Sequence, residues 1–176
     1  RDLNLEVIEH LLSREVVEGA LGQVRRLYGA RAGRRRERGQ SPPREVIDWA
    51  LAEGPRIAAD LAGSVDVLRS PAFYDGPRSR AAMECVTAAL RIASLPHHPA
   101  GVELSSLTAS IREDVSAEVL RAAADAQANP YLRILDRYVA DSLAAEAPDL
   151  VGIAVPTMGQ FLAALTVASL LRRRGV

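Results

Sequence analysis

The chain has no lysine at all: its 22 basic side chains are all arginine, set against 22 acidic ones. No binding function removes every lysine, so this is a coding bias, and the zero net charge argues against the clustered basic surplus of a nucleic-acid partner. Cysteine is almost absent, with Cys85 alone. That excludes an internal disulfide framework, a cysteine-based zinc site and a self-contained iron–sulfur cluster. Aromatic residues make up only 4%, so the core has to be built from Ala, Leu and Val. Long apolar runs are missing too, and no stretch approaches a membrane span. No signal-peptide pattern opens the chain, and a cytoplasmic location is expected. What is present is 176 residues, 48% of them hydrophobic, enough for one domain and well above the level of a disordered chain.

Apolar spacing predicts mostly helix. Asp2 and Asn4 are good N-caps for a first helix carrying Leu5, Ile8, Leu11 and Leu12 on one face. Ser13 caps a second, through Val17, Leu21 and Val24, which decays at Gly29. Residues 29–43 are rich in Arg, Gly and Pro and read as a solvated loop; no aromatic residue interleaves the arginines to stack on bases. Pro42 and Pro43 suit a helix start. Gly54-Pro55 is expected to interrupt that helix, with a further one over 56–69, a turn over 70–77 and another helix over 78–95. Cys85 lies in the last of these as a small buried thiol, with no base near it in sequence. His97 and His98 lack a third ligand at metal-site spacing. Ser110 to Glu113 has the capping-box pattern and Ser116 offers another cap. Asn129-Pro130 then starts a helix whose apolar stripe runs through Tyr131, Leu132, Leu135, Tyr138, Val139 and Leu143.

The strand signal is confined to Asp149–Val155, a short apolar run with β-branched residues ended by the turn Pro156-Thr157-Met158-Gly159. Being apolar on both faces, it is expected to be an interior strand of a parallel sheet and the most buried strand of the chain. An amphipathic helix from Gln160 to Arg174 follows, with Arg172, Arg173 and Arg174 at its negative end and Gly175 terminating it. This helix–strand–turn–helix unit is half of a doubly wound sheet, in which ligands bind where strand ends meet helix N-termini. One strand needs neighbours, and both chain ends look like cuts, so the chain is expected to be a fragment of a longer one. The expected fold is therefore α/β, a partial doubly wound, Rossmann-like domain with a long, mainly helical insertion.

The string Asp149-Leu150-Val151-Gly152-Ile153-Ala154-Val155, Gln160 and the helix FLAALTVASLLRRRG resembles the cobalamin-binding N-terminal domain of B12-dependent radical SAM proteins. Asp2-Leu3-Asn4 with Leu11-Leu12-Ser13 resembles that family's segment after its second strand, and Asn129-Pro130-Tyr131 also fits. The likeness is closest to the branch that matures ribosomally made peptides, where a long helical insertion separates these segments. It implies residues 1–13 as the start of the B12-binding-like domain, 14–128 as the insertion and 129–176 as its helix–strand–helix part. It implies cobalamin as cofactor of this region, and SAM and a [4Fe–4S] cluster elsewhere in the whole protein. The reaction implied is methyl transfer to a carbon of a peptide or other natural product, with a precursor peptide as partner. The residues expected to face the cofactor are Pro156, Thr157, Met158, Gly159 and Gln160, with Asp2 and Asn4 as further candidates. The radical SAM CxxxCxxC and the Asp-x-His-x-x-Gly cobalamin signature are not in this sequence. No Ser/His/Asp or paired-carboxylate arrangement stands out either, so a non-catalytic helical interaction module is the alternative.

Overall fold

A computed structural model describes residues 3–29, 41–104, 107–108, 115–143, 146, 148–155 and 160–175. Its helices are α1 (Leu3–Leu11), α2 (Arg14–Tyr28), α3 (Arg44–Leu68), α4 (Gly76–Ser94), α5 (Ser116–Ala124), α6 (Leu132–Tyr138) and α7 (Phe161–Arg173). A 3-10 turn, Pro71–Tyr74, joins α3 to α4, and a π-helical turn, Val139–Leu143, extends α6. Strand is limited, among the described residues, to an antiparallel ladder pairing Gly101 with Thr108 and Val102 with Leu107.

The first core is the bundle of α2, α3 and α4. Ser13 Oγ accepts from the Val16 backbone N–H at 3.3 Å, satisfying a free donor at the start of α2 as expected. Val17, Ala20, Leu21, Val24 and Tyr28 recur at helical spacing and are all buried. They meet Ile47, Ala50, Ile57, Ala58 and Leu61 of α3 and Val86 and Ala89 of α4. Many of these side chains are small, so the helices approach closely. Gly54 is the tightest point: a Cβ there would lie 2.5 Å from Leu21 Cδ2. The expected break at Gly54-Pro55 does not occur, and α3 runs unbroken from Arg44 to Leu68. Pro55 removes one N–H, yet both halves stay helical and pack on α2 and α4. Tertiary burial outweighs a local cost of about 3 kcal/mol. Asp75 caps α4, its Oδ1 accepting from the Arg78 N–H at 3.2 Å.

The second core joins segments far apart in the chain. Val7 and Leu11 of α1, Leu90 and Ala93 at the end of α4, Val102, Tyr131 and Leu135, Val139, and Val167, Leu170 and Leu171 of α7 form one buried cluster. A smaller cluster, Ala122 and Ala123 with Leu162, seats α5 on α7.

The expected α/β architecture is overturned: the chain is mainly helical and contains no parallel sheet among the described residues. Residues 150–155 are neither helix nor strand. A strand exists only through ladder bonds to neighbours, and the two strands described pair only with each other. Nor is the run buried on both faces. Val151 and Ile153 pack on the second core, whereas Leu150 is 88% exposed and Val155 42% exposed. The expectation of a most-buried strand at 150–155 fails for the same reason.

Candidate functional site

Of the expected cofactor-facing residues, Asp2, Pro156, Thr157, Met158 and Gly159 lie outside the described residues, as do the capping box at 110–113 and the arginine-rich residues 30–40. Asn4 is in the first turn of α1. Gln160 is half-buried immediately before α7, with φ −98° and ψ −4°. Its side chain makes no cap bond to the helix. The far end of α7 behaves as its sequence implies. Arg174 ion-pairs with Asp136 at 2.8 Å, and Gly175, at φ +82°, takes the left-handed conformation that ends a helix.

A buried polar lock holds α7 in place. Asn129 Nδ2 donates to Thr166 Oγ1 at 2.8 Å and to the Ala123 carbonyl at 3.2 Å. Asn129 Oδ1 accepts from the Tyr131 N–H at 3.0 Å, and Thr166 Oγ1 donates to the Leu162 carbonyl at 2.7 Å. Both side chains are fully buried and fully bonded. Asn129 thus holds the turn before α6, whose N-cap is Tyr131 rather than the expected Asn129, and also ties that turn to α5 and α7. Tyr131, buried beside it, has its phenol pushed up to about 12 by burial.

Two further sites are defined by side chains. His97 Nδ1 lies 3.1 Å from the Gln127 carbonyl, so Nδ1 carries the proton and donates. Burial is the main cause that lowers the His97 pKa, with nearby Arg133 adding to it. A cleft of about 360 Å³ lies between α1 and α6, lined by Glu6, Val7, His10, Arg133, Ile134, Leu135, Arg137, Tyr138 and Asp141. The apolar stripe of α6 is the dominant pattern in its sequence and masks the polar ridge beside it. The available signal was the i, i+4 recurrence of Arg133 and Arg137 and of Glu6 and His10.

Cys85 is half-buried in α4, its Sγ 3.7 Å from the Ile57 carbonyl. No group of three metal-ligating side chains occurs among the described residues. No helix among them is long and apolar enough to cross a membrane. No protein-family model, curated protein or solved structure matches the chain.

Proposed function

We propose that this chain is the cobalamin-contacting region of a B12-dependent radical SAM protein acting in the cytoplasm, one that methylates a peptide or other natural product. The sequence string Asp149–Val155 with Gln160 is the starting point. The observation that carries the reading is the second core. Val7 and Leu11 pack with Tyr131, Leu135, Val139, Val167 and Leu170, so the two segments that resemble the family share a core across more than a hundred intervening residues. Much of the intervening chain forms its own α2–α4 bundle, while its Leu90, Ala93 and Val102 join the second core.

In this reading Pro156 to Gln160 line the cofactor, with Asn4 and Asp2 contributed from the other segment. Gln160 supports this role through its half-buried side chain, which is not used to cap α7. The first backbone N–H groups of α7 have no partner within the helix and can donate to an amide or phosphate of the ligand. Bound cobalamin supplies the methyl group, and this chain's residues bind and orient it. SAM and the [4Fe–4S] cluster are held elsewhere, because Cys85 alone cannot supply three thiolates.

Hydroxocobalamin added to the purified protein, followed by gel filtration, tests the reading. Corrin absorbance is expected to co-elute with the protein. Protein eluting colourless at saturating cofactor overturns it. The helical interaction module is the second reading, favoured by one observation: Phe73 and Tyr74, 46% and 88% exposed, form an edge-to-face pair at the α3–α4 turn. Exposed apolar aromatic surface of this kind is typical of a protein contact. Colourless elution together with loss of a bound partner on Tyr74→Ser would favour it.

A further inference from the structure

The cleft between α1 and α6 carries an inference that does not rest on cobalamin. Its floor is apolar, made by Val7, Ile134 and Leu135, and charged side chains of both signs line it. Glu6 and Asp141 are carboxylates, while Arg133 and Arg137 are guanidiniums. Arg133, Arg137 and Asp141 follow one another at i, i+4 along α6 and its π-helical extension, so they project from one side of that element. None of these three makes a hydrogen bond or ion pair with another described residue. Among the described residues Arg137 and Asp141 thus stand a turn apart without an ion pair between them.

The charge balance selects the ligand. Asp141 lies on the same side of that element as Arg133 and Arg137, so the lining carries both signs and a multiply charged anion such as phosphate meets repulsion as well as attraction. A molecule that carries both signs and is itself neutral meets attraction at both ends. The volume, about 360 Å³, is at the small end of the range for ligand pockets. That fits one amino acid better than a folded partner. We propose that this cleft binds a zwitterionic amino acid with an aliphatic or aromatic side chain. Its carboxylate is held by the forked guanidiniums of Arg133 and Arg137, its ammonium by Asp141, and its side chain lies over Val7, Ile134 and Leu135. Planar guanidinium is the group best shaped for a carboxylate, which it engages through two parallel N–H donors.

Titration of the whole chain with L-leucine tests this, followed by calorimetry or by the amide resonances of α1 and α6. Isocaproate, which lacks the ammonium, and isoamylamine, which lacks the carboxylate, are the matched probes. Leucine is expected to bind at least about tenfold tighter than either, and Arg137→Gln and Asp141→Asn are each expected to weaken it about tenfold. Both positions are exposed, and an unchanged helical circular dichroism spectrum verifies that the variants are folded. Arg137→Lys, which keeps charge but loses the fork, should fall between wild type and Arg137→Gln. The proposal is overturned if leucine shows no saturation by about 10 mM, if isocaproate or inorganic phosphate binds as tightly as leucine, or if Asp141→Asn leaves leucine affinity unchanged.

Discussion

The two halves of this molecule are held together by different means. The α2–α4 bundle is closed by aliphatic side chains, with Val17, Val24, Leu61, Ala89 and Ile92 almost fully buried. The layer of α5, α6 and α7 adds to its apolar cluster a buried Asn129–Thr166 bond that reaches 37 residues along the chain. Apolar packing is non-directional and tolerates rearrangement. A buried amide bonded on both its oxygen and its nitrogen permits one arrangement, because any other leaves a donor or acceptor unpaired. The bundle therefore gains its stability from area, while the second layer gains its register from polar geometry. Register matters more there, since α7 leads directly from the proposed cofactor segment.

The largest expected effect is in the bundle. Leu61→Ala removes a side chain that is 1% exposed and should cost about 2–5 kcal/mol, measured by chemical denaturation. Thr166→Val in the second layer changes volume little but leaves Asn129 Nδ2 with only the Ala123 carbonyl. It should cost about 1–3 kcal/mol. The two differ more sharply in coupling. Thr166→Val and Asn129→Ala should be non-additive by about 0.5 kcal/mol or more, whereas Leu61→Ala should add to either within that margin. Additivity of all three would erase the distinction between the layers.

A smaller effect is expected at His97. Its pKa is lowered in the folded chain, chiefly by burial. The unfolded chain therefore takes up the proton first as pH falls. The stability His97 contributes is present above the ordinary histidine value of about 6.5. It is lost between that value and the lowered folded one. Denaturation midpoints should fall on acidification through this window and fall less in His97→Gln. The smallest effect belongs to the exposed pair Arg44–Asp48 at 3.0 Å. Asp48→Ala should change stability by no more than about 0.5 kcal/mol and lose even that in high salt.

The same contrast decides what could be read from the sequence. The face of α2 and the cap at Ser13 are local patterns and were legible, as were the arginine-rich end of α7 and its Gly175 stop. Gly54-Pro55 was misread as a break because its local cost is visible in the sequence and the packing of Gly54 against Leu21 is not. The helix start expected at Asn129 comes two residues later, with Tyr131 as N-cap, and the bond of Asn129 to Thr166 was not legible, since nothing local marks a bond across so many residues. Residues 150–155 were misread most seriously. Their apolar run has the composition of a two-sided strand, but a strand is a property of its neighbours. Here alternate residues face helices, with Val151 and Ile153 inward and Leu150 outward. Of the expected site, only Asn4 and Gln160 fall among the described residues, and the cleft was missed because its charged ridge shares α6 with the apolar stripe.

Two threonines allow the central claim to be tested in one experiment, by deleting a hydroxyl at nearly constant volume in each. Thr157→Val and Thr166→Val are compared for cobalamin retained after gel filtration and for thermal midpoint. Thr157→Val is expected to lower retention while the midpoint moves little, and Thr166→Val to lower the midpoint while retention at low temperature holds. Retention unchanged in Thr157→Val, or absent already in the wild-type protein, would contradict the claim.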